Sequence, residues 1–90
     1  MALFDPMAYD AASLEARPAL SGEAFLQLGM ANATGRDGAA DLISAHKWFN
    51  LAALKGNREA LRYRQEVARE MSETEIAEAQ RAAREWLCTR

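Results

Sequence analysis

The pattern Ala-x-x-Trp of Ala45-His-Lys-Trp48 returns 38 positions later in Ala83-Arg-Glu-Trp86. Ala24 and Ala60 stand 36 apart, and Ala19-Leu-Ser-Gly22 is echoed 34 positions on by Ala53-Leu-Lys-Gly56. Self-similarity at this period belongs to chains built from helical hairpins, because one hairpin cannot bury its own apolar face and must stack on a neighbour. A chain of 90 residues holds roughly two such units and no second domain. Composition agrees: Ala supplies 20 residues, whereas Val and Ile together supply 3. So few β-branched apolar side chains argue against a sizeable sheet, and the expected class is all-α with four main helices.

Glycine punctuates the helices. Thr34-Gly35 and Lys55-Gly56-Asn57 each follow an apolar stretch and are suited to close a helix in the left-handed conformation. Between them the pattern predicts a helix from about Glu23 to Ala33, capped by Ser21 or Gly22, and a second from Leu42 to Lys55, capped by Asp41. The first carries Phe25, Leu28 and Asn32 on one side and Leu26, Met30 and Ala33 on the next. Gly29 inside it costs about 1 kcal/mol relative to Ala, so a close backbone crossing by another helix is expected there. The second presents Ala45, Trp48, Phe49, Ala52 and Ala53 as a broad apolar face, with Trp48 as the centrepiece of the core.

Asn57 is placed to cap a third helix, Arg58 to Met71, with Ala60, Tyr63, Val67 and Met71 inward and Leu61 and Ala68 beside them. Ser72-Glu-Thr-Glu75 has the form of a capping box and opens a fourth helix through Leu87, buried along Ile76, Ala79, Ala83, Trp86 and Leu87. Asp5-Pro6 reads as the start of a short helix ended by Pro18, so residues 1–20 are either that helix, with Phe4, Met7, Tyr9 and Leu14 over one end of the core, or a mobile arm.

Leu28-Gly29 followed by Gly35, then Asp41, Ala45, Trp48, Ala52-Ala53, Gly56 and Ala60, resembles the Sel-one-like repeat, a relative of the tetratricopeptide repeat. The resemblance covers about Glu23 to Leu61; the wording Asp41-Leu-Ile-Ser-Ala-His-Lys-Trp-Phe-Asn-Leu-Ala-Ala is similar to that of short bacterial members. It implies a short α-solenoid with one good repeat over 22–56 and a degenerate or capping repeat over 57–88, which lacks the Gly-rich loop and the Ala-Ala-x-x-Gly ending. It also implies an adaptor and not a catalyst. In such a solenoid the first helices of successive hairpins line the concave side, so Gln27, Met30, Asn32, Arg62 and Glu66 are the candidates for binding a partner protein or peptide. So few repeats leave apolar ends to be covered by terminal caps or by self-association, hence a monomer or a weak homodimer.

The remaining signals are mostly exclusions. Net charge is −2, with 11 basic and 13 acidic side chains, so nucleic acid is a poor partner. Arg58, Arg62, Arg69, Arg81 and Arg84 suggest a basic surface, but Glu59, Glu66, Glu70, Glu73, Glu78 and Glu85 interleave them; pairs such as Arg62 with Glu66 and Arg81 with Glu85 read as a solvated face. The start Met1-Ala-Leu-Phe-Asp-Pro-Met is unlike a secretory signal, Leu42 to Leu54 falls short of the ~20 apolar residues a membrane span needs, and Cys88 is the lone cysteine. The expected location is the cytoplasm. His46 is the lone histidine; with Cys88 it could serve a small enzyme only if a base, an orienting group and a pocket converged, and one His with one Cys cannot supply the usual zinc ligands. No catalytic, cofactor or metal site is therefore expected.

Overall fold

In the computed structural model, residues 21–35 and 38–89 are described; the expectation for residues 1–20 lies outside them. The described residues form four α-helices and no strand: α1 (Gly22–Thr34), α2 (Leu42–Leu54), α3 (Glu59–Ala68) and α4 (Glu73–Cys88). The chain is all-α.

Each helix begins where a side chain satisfies a free backbone N–H. The Ser21 hydroxyl accepts from Ala24 N at 3.0 Å, and Asp41 Oδ1 accepts from Ser44 N at 3.1 Å. Asn57 Oδ1 accepts from Ala60 N at 3.1 Å, while the intervening Arg58 makes no side-chain cap bond. At α4 the capping box is reciprocal: Ser72 Oγ accepts from Glu75 N at 3.1 Å and Glu75 Oε1 accepts from Ser72 N at 2.9 Å. Such caps are each worth about 1 kcal/mol.

Glycine closes the ends of α1 and α2. Gly35, at φ 71°, donates its N–H to Ala31 O. A β-carbon there would stand 2.5 Å from Gly38 O, so the position needs glycine for both conformation and space. After α2, Gly56 N bonds Ala53 O at 2.9 Å and Asn57 N bonds Ala52 O at 3.0 Å, with Gly56 at φ 93°. That is the Schellman pair of bonds, which uses two carbonyls the helix leaves free.

α3 is shorter than the expected Arg58 to Met71. Past Ala68 the bonds tighten, Glu70 N to Val67 O and Met71 N to Ala68 O, and the chain turns into the Ser72 cap. At the ends of α2 and α4 the difference from expectation is one residue, Lys55 and Cys88 respectively.

α2 packs against α1, α3 and α4. The core is formed by Phe25, Leu26, Ala45, Phe49, Leu51, Ala52, Ala60 and Ala83. Its largest fully buried side chains are Phe25, Phe49 and Leu51, so the centrepiece is Phe49 and not Trp48, which is half-buried at the edge. The Phe49 ring stacks on Tyr63 of α3 at 5.6 Å between centroids. Gly29 is compensated by this same ring: a β-carbon at Gly29 would lie 2.5 Å from Phe49 Cε1. A side chain, not a helix backbone, fills the place that glycine leaves open. Leu28 and Leu61 are exposed, and Leu87, expected on the inner side of α4, is half exposed.

Candidate functional site

The surface proposed from sequence draws on α1 and α3, each of which packs on α2. On α1, Gln27 is exposed and its Nε2 donates to Glu23 Oε2 at 2.9 Å. Met30 is half-buried against the core. Asn32 is half-buried as well; its Nδ2 donates to Leu28 O at 3.0 Å, and its backbone carbonyl accepts from Asp41 N at 2.9 Å. Asn32 thus ties the end of α1 to the start of α2. On α3, Arg62 and Glu66 are exposed, and the Arg62 guanidinium lies 5.0 Å from the Tyr63 ring centroid. No hydrogen bond or ion pair joins the α1 residues to the α3 residues among those described.

The ion pair drawn on the charged faces is Arg81 with Glu78, at 3.9 Å, in place of the expected Arg81 with Glu85. Both side chains are at least half exposed, so the pair is worth tenths of a kcal/mol. Arg64, absent from the expected basic surface, instead spans two helices: its Nη1 donates to Asn50 Oδ1 at 2.5 Å, linking α3 to α2. Nothing in the sequence signals that bond, because its partners lie 14 residues apart on different helices.

A second grouping is aromatic. Phe25, Trp48 and Trp86 form a closed triangle, with centroids 5.8 Å apart for Phe25 and Trp48, 5.3 Å for Phe25 and Trp86, and 5.8 Å for Trp48 and Trp86. Two of the three pairs meet edge to face, a favoured geometry for aromatic quadrupoles. The triangle clamps α1, α2 and α4 together, and Lys47 Nζ sits 4.0 Å above the Trp48 ring. The repeated tryptophans thus touch each other, which their spacing in sequence alone does not reveal.

His46 is 3% exposed within α2, and its Nδ1 has no hydrogen-bond partner. Burial pushes the imidazole below its usual pKa, and the Arg64 guanidinium adds to the shift, so His46 is held in the neutral form. Cys88 is exposed in the last turn of α4. Asp41, at the α2 N-terminus, is held below the usual carboxylate range by the Ser44 N–H and then by the Ser44 hydroxyl, which donates to Oδ2 at 2.8 Å. Among the described residues no group of three or more His, Cys, Asp or Glu is arranged to hold a metal ion, and no helix is long and apolar enough to cross a membrane.

No protein-family model matches the chain, and neither a curated protein nor a solved structure does.

Proposed function

We propose that this chain is a non-catalytic protein-interaction module of the Sel-one-like, helical-hairpin kind, holding a partner protein or peptide in a shallow groove lined by Gln27, Met30, Asn32, Arg62 and Glu66. The observation that carries this reading is the placement of α2. It packs on α1, on α3 and on α4 and so joins the three other helices; the reading takes α1 with α2 as one repeat unit and α3 with α4 as the unit behind it. In that arrangement α1 and α3 are the first helices of successive hairpins, and their exposed Gln27, Arg62 and Glu66 offer donors and acceptors to an extended or helical segment. The location that goes with it is the cytoplasm.

The test is crosslinking capture from native cytosol, comparing the wild type with Gln27→Ala/Asn32→Ala/Arg62→Ala once both are shown to be equally helical. Capture of a distinct partner by the wild type, lost in the variant, supports the groove. Equal capture by both overturns it.

Self-assembly is the second reading, favoured by Leu54 at 66% and Leu87 at 50% exposure, both apolar and both in the last turns of their helices. Sedimentation over a hundredfold range of concentration distinguishes it: a rising mass, abolished by Leu54→Glu or Leu87→Glu, supports assembly through the helix ends.

A further inference from the structure

Three features meet on one side of α2. The first is His46, buried to 3% exposure with Nδ1 unpartnered. The second is Asn50, one turn further along the same helix, which receives the Arg64 Nη1 bond from α3. The third is the charge of Arg64 itself, among the described residues the ionised group whose field reaches the imidazole. No titratable group on α1 or α4 acts on the ring, and on its own helix Lys47 is committed to the Trp48 face and Asp41 to Ser44.

A neutral imidazole is tolerable in such a place, since it carries no charge and leaves Nδ1 as the buried nitrogen without a partner. An imidazolium is not: it carries two N–H donors and a full charge into an apolar site, next to a second cation and with no carboxylate to balance either. The contact that suffers is the one Arg64 makes, because two like charges now share the α2–α3 seam, whose remaining contacts, buried Ala60 and Phe49 stacked on Tyr63, are apolar and cannot offset the charge.

We infer that His46 is an acid-sensitive latch on the α2–α3 seam, holding α3 against α2 while neutral and releasing it when protonated, ahead of unfolding of the chain as a whole. This inference does not depend on the groove reading, since it concerns how the two helices are held and not what they bind. Its sign follows from linkage. The released state takes up a proton near the ordinary histidine value of about 6.5 and the closed state only at lower pH, so closure is strongest above about 6.5 and is lost as pH falls below it.

Because His46 is the sole histidine of the sequence, proton NMR of the tag-free chain reads its titration directly. From pH 8 to 5 the expected result is a folded-state titration below about 6.5. Amide hydrogen exchange, corrected for its intrinsic pH dependence, should show the protection of Tyr63, Arg64 and Val67 falling by up to about tenfold per pH unit inside that window, with Leu26 and Met30 of α1 unchanged. His46→Gln should flatten the pH dependence of α3, and Arg64→Met, which keeps the apolar stem and removes the cation, should raise the histidine titration. A folded-state titration at or above about 6.5 overturns the inference, as does protection lost equally from α1 and α3. The first readout needs no variant, so a His46→Gln chain that fails to fold leaves the inference exposed to refutation.

Discussion

The Phe49 ring occupies the space in which a β-carbon of Gly29 would stand, with Cε1 2.5 Å and Cδ1 2.6 Å from that position. The two residues are fitted to each other across the α1–α2 face, and Phe49 in turn stacks on Tyr63.

Gly29→Ala is therefore expected to destabilise the chain. Alanine gains about 1 kcal/mol of helix propensity over glycine, but overpacking a ring that is itself pinned between helices costs about 1–3 kcal/mol. Phe49→Leu in the Gly29→Ala background should recover part of the loss, because the smaller side chain vacates the clash. Urea unfolding of the two single variants and the double variant gives the coupling; additive effects would show that the ring does not set the glycine requirement.

Leu51 and Leu54 make a contrasting pair on one helix. Leu51 is 1% exposed and Leu54 is 66% exposed. Leu51→Ala should cost about 2–5 kcal/mol by leaving a cavity, while Leu54→Ala should stay within about 0.5 kcal/mol. Thermal melts followed by circular dichroism separate these outcomes, and similar losses from both would contradict the packing of α2.

These cases show where the sequence was legible. Ser21, Asp41, Asn57 and Ser72 were readable as caps because each bonds an N–H three residues ahead, and Gly35 and Gly56 as closures because their φ requirement is local. Leu51 falls outside the face that periodicity assigns to α2, and Trp48 falls at the centre of that face, because burial of both depends on how the helices cross. α2 is packed from three directions, so periodicity could not say which of its faces is innermost. The same applies to the surface residues. Gln27, Arg62 and Glu66 are exposed, but the Asn32 side chain is half-buried and bonds Leu28 O within α1, and the Asn50–Arg64 bond has no local signature at all.

Ser72→Ala removes the oxygen that receives Glu75 N and should lower stability by about 1 kcal/mol, with Glu75→Ala giving a smaller loss from the other half of the box. Since α4 carries Trp86 into the aromatic triangle, the change should also be visible as an earlier shift in tryptophan emission on heating. An unaltered melting temperature in Ser72→Ala would mean that packing against α2, and not the cap, secures the start of α4.

Asp41 supplies a second acid dependence that is separable from that of His46. Its carboxyl is held low chiefly by the Ser44 N–H, so the folded chain releases this proton more readily than the unfolded chain, whose value is near 3.8. The sign is that of a depressed carboxylate: its stabilisation is complete above about 3.8 and is lost as pH falls through the folded value. The group is exposed, so water screens its charge, and Asp41→Ala at neutral pH should cost about 1 kcal/mol from the lost cap. That difference should shrink between pH 4 and pH 2, where wild type and variant converge, while Asp41→Asn retains the cap and shows no titration there. Loss of stability beginning near pH 6.5 belongs to His46 and must survive Asp41→Asn; if Asp41→Asn removes it, the buried histidine is not its source.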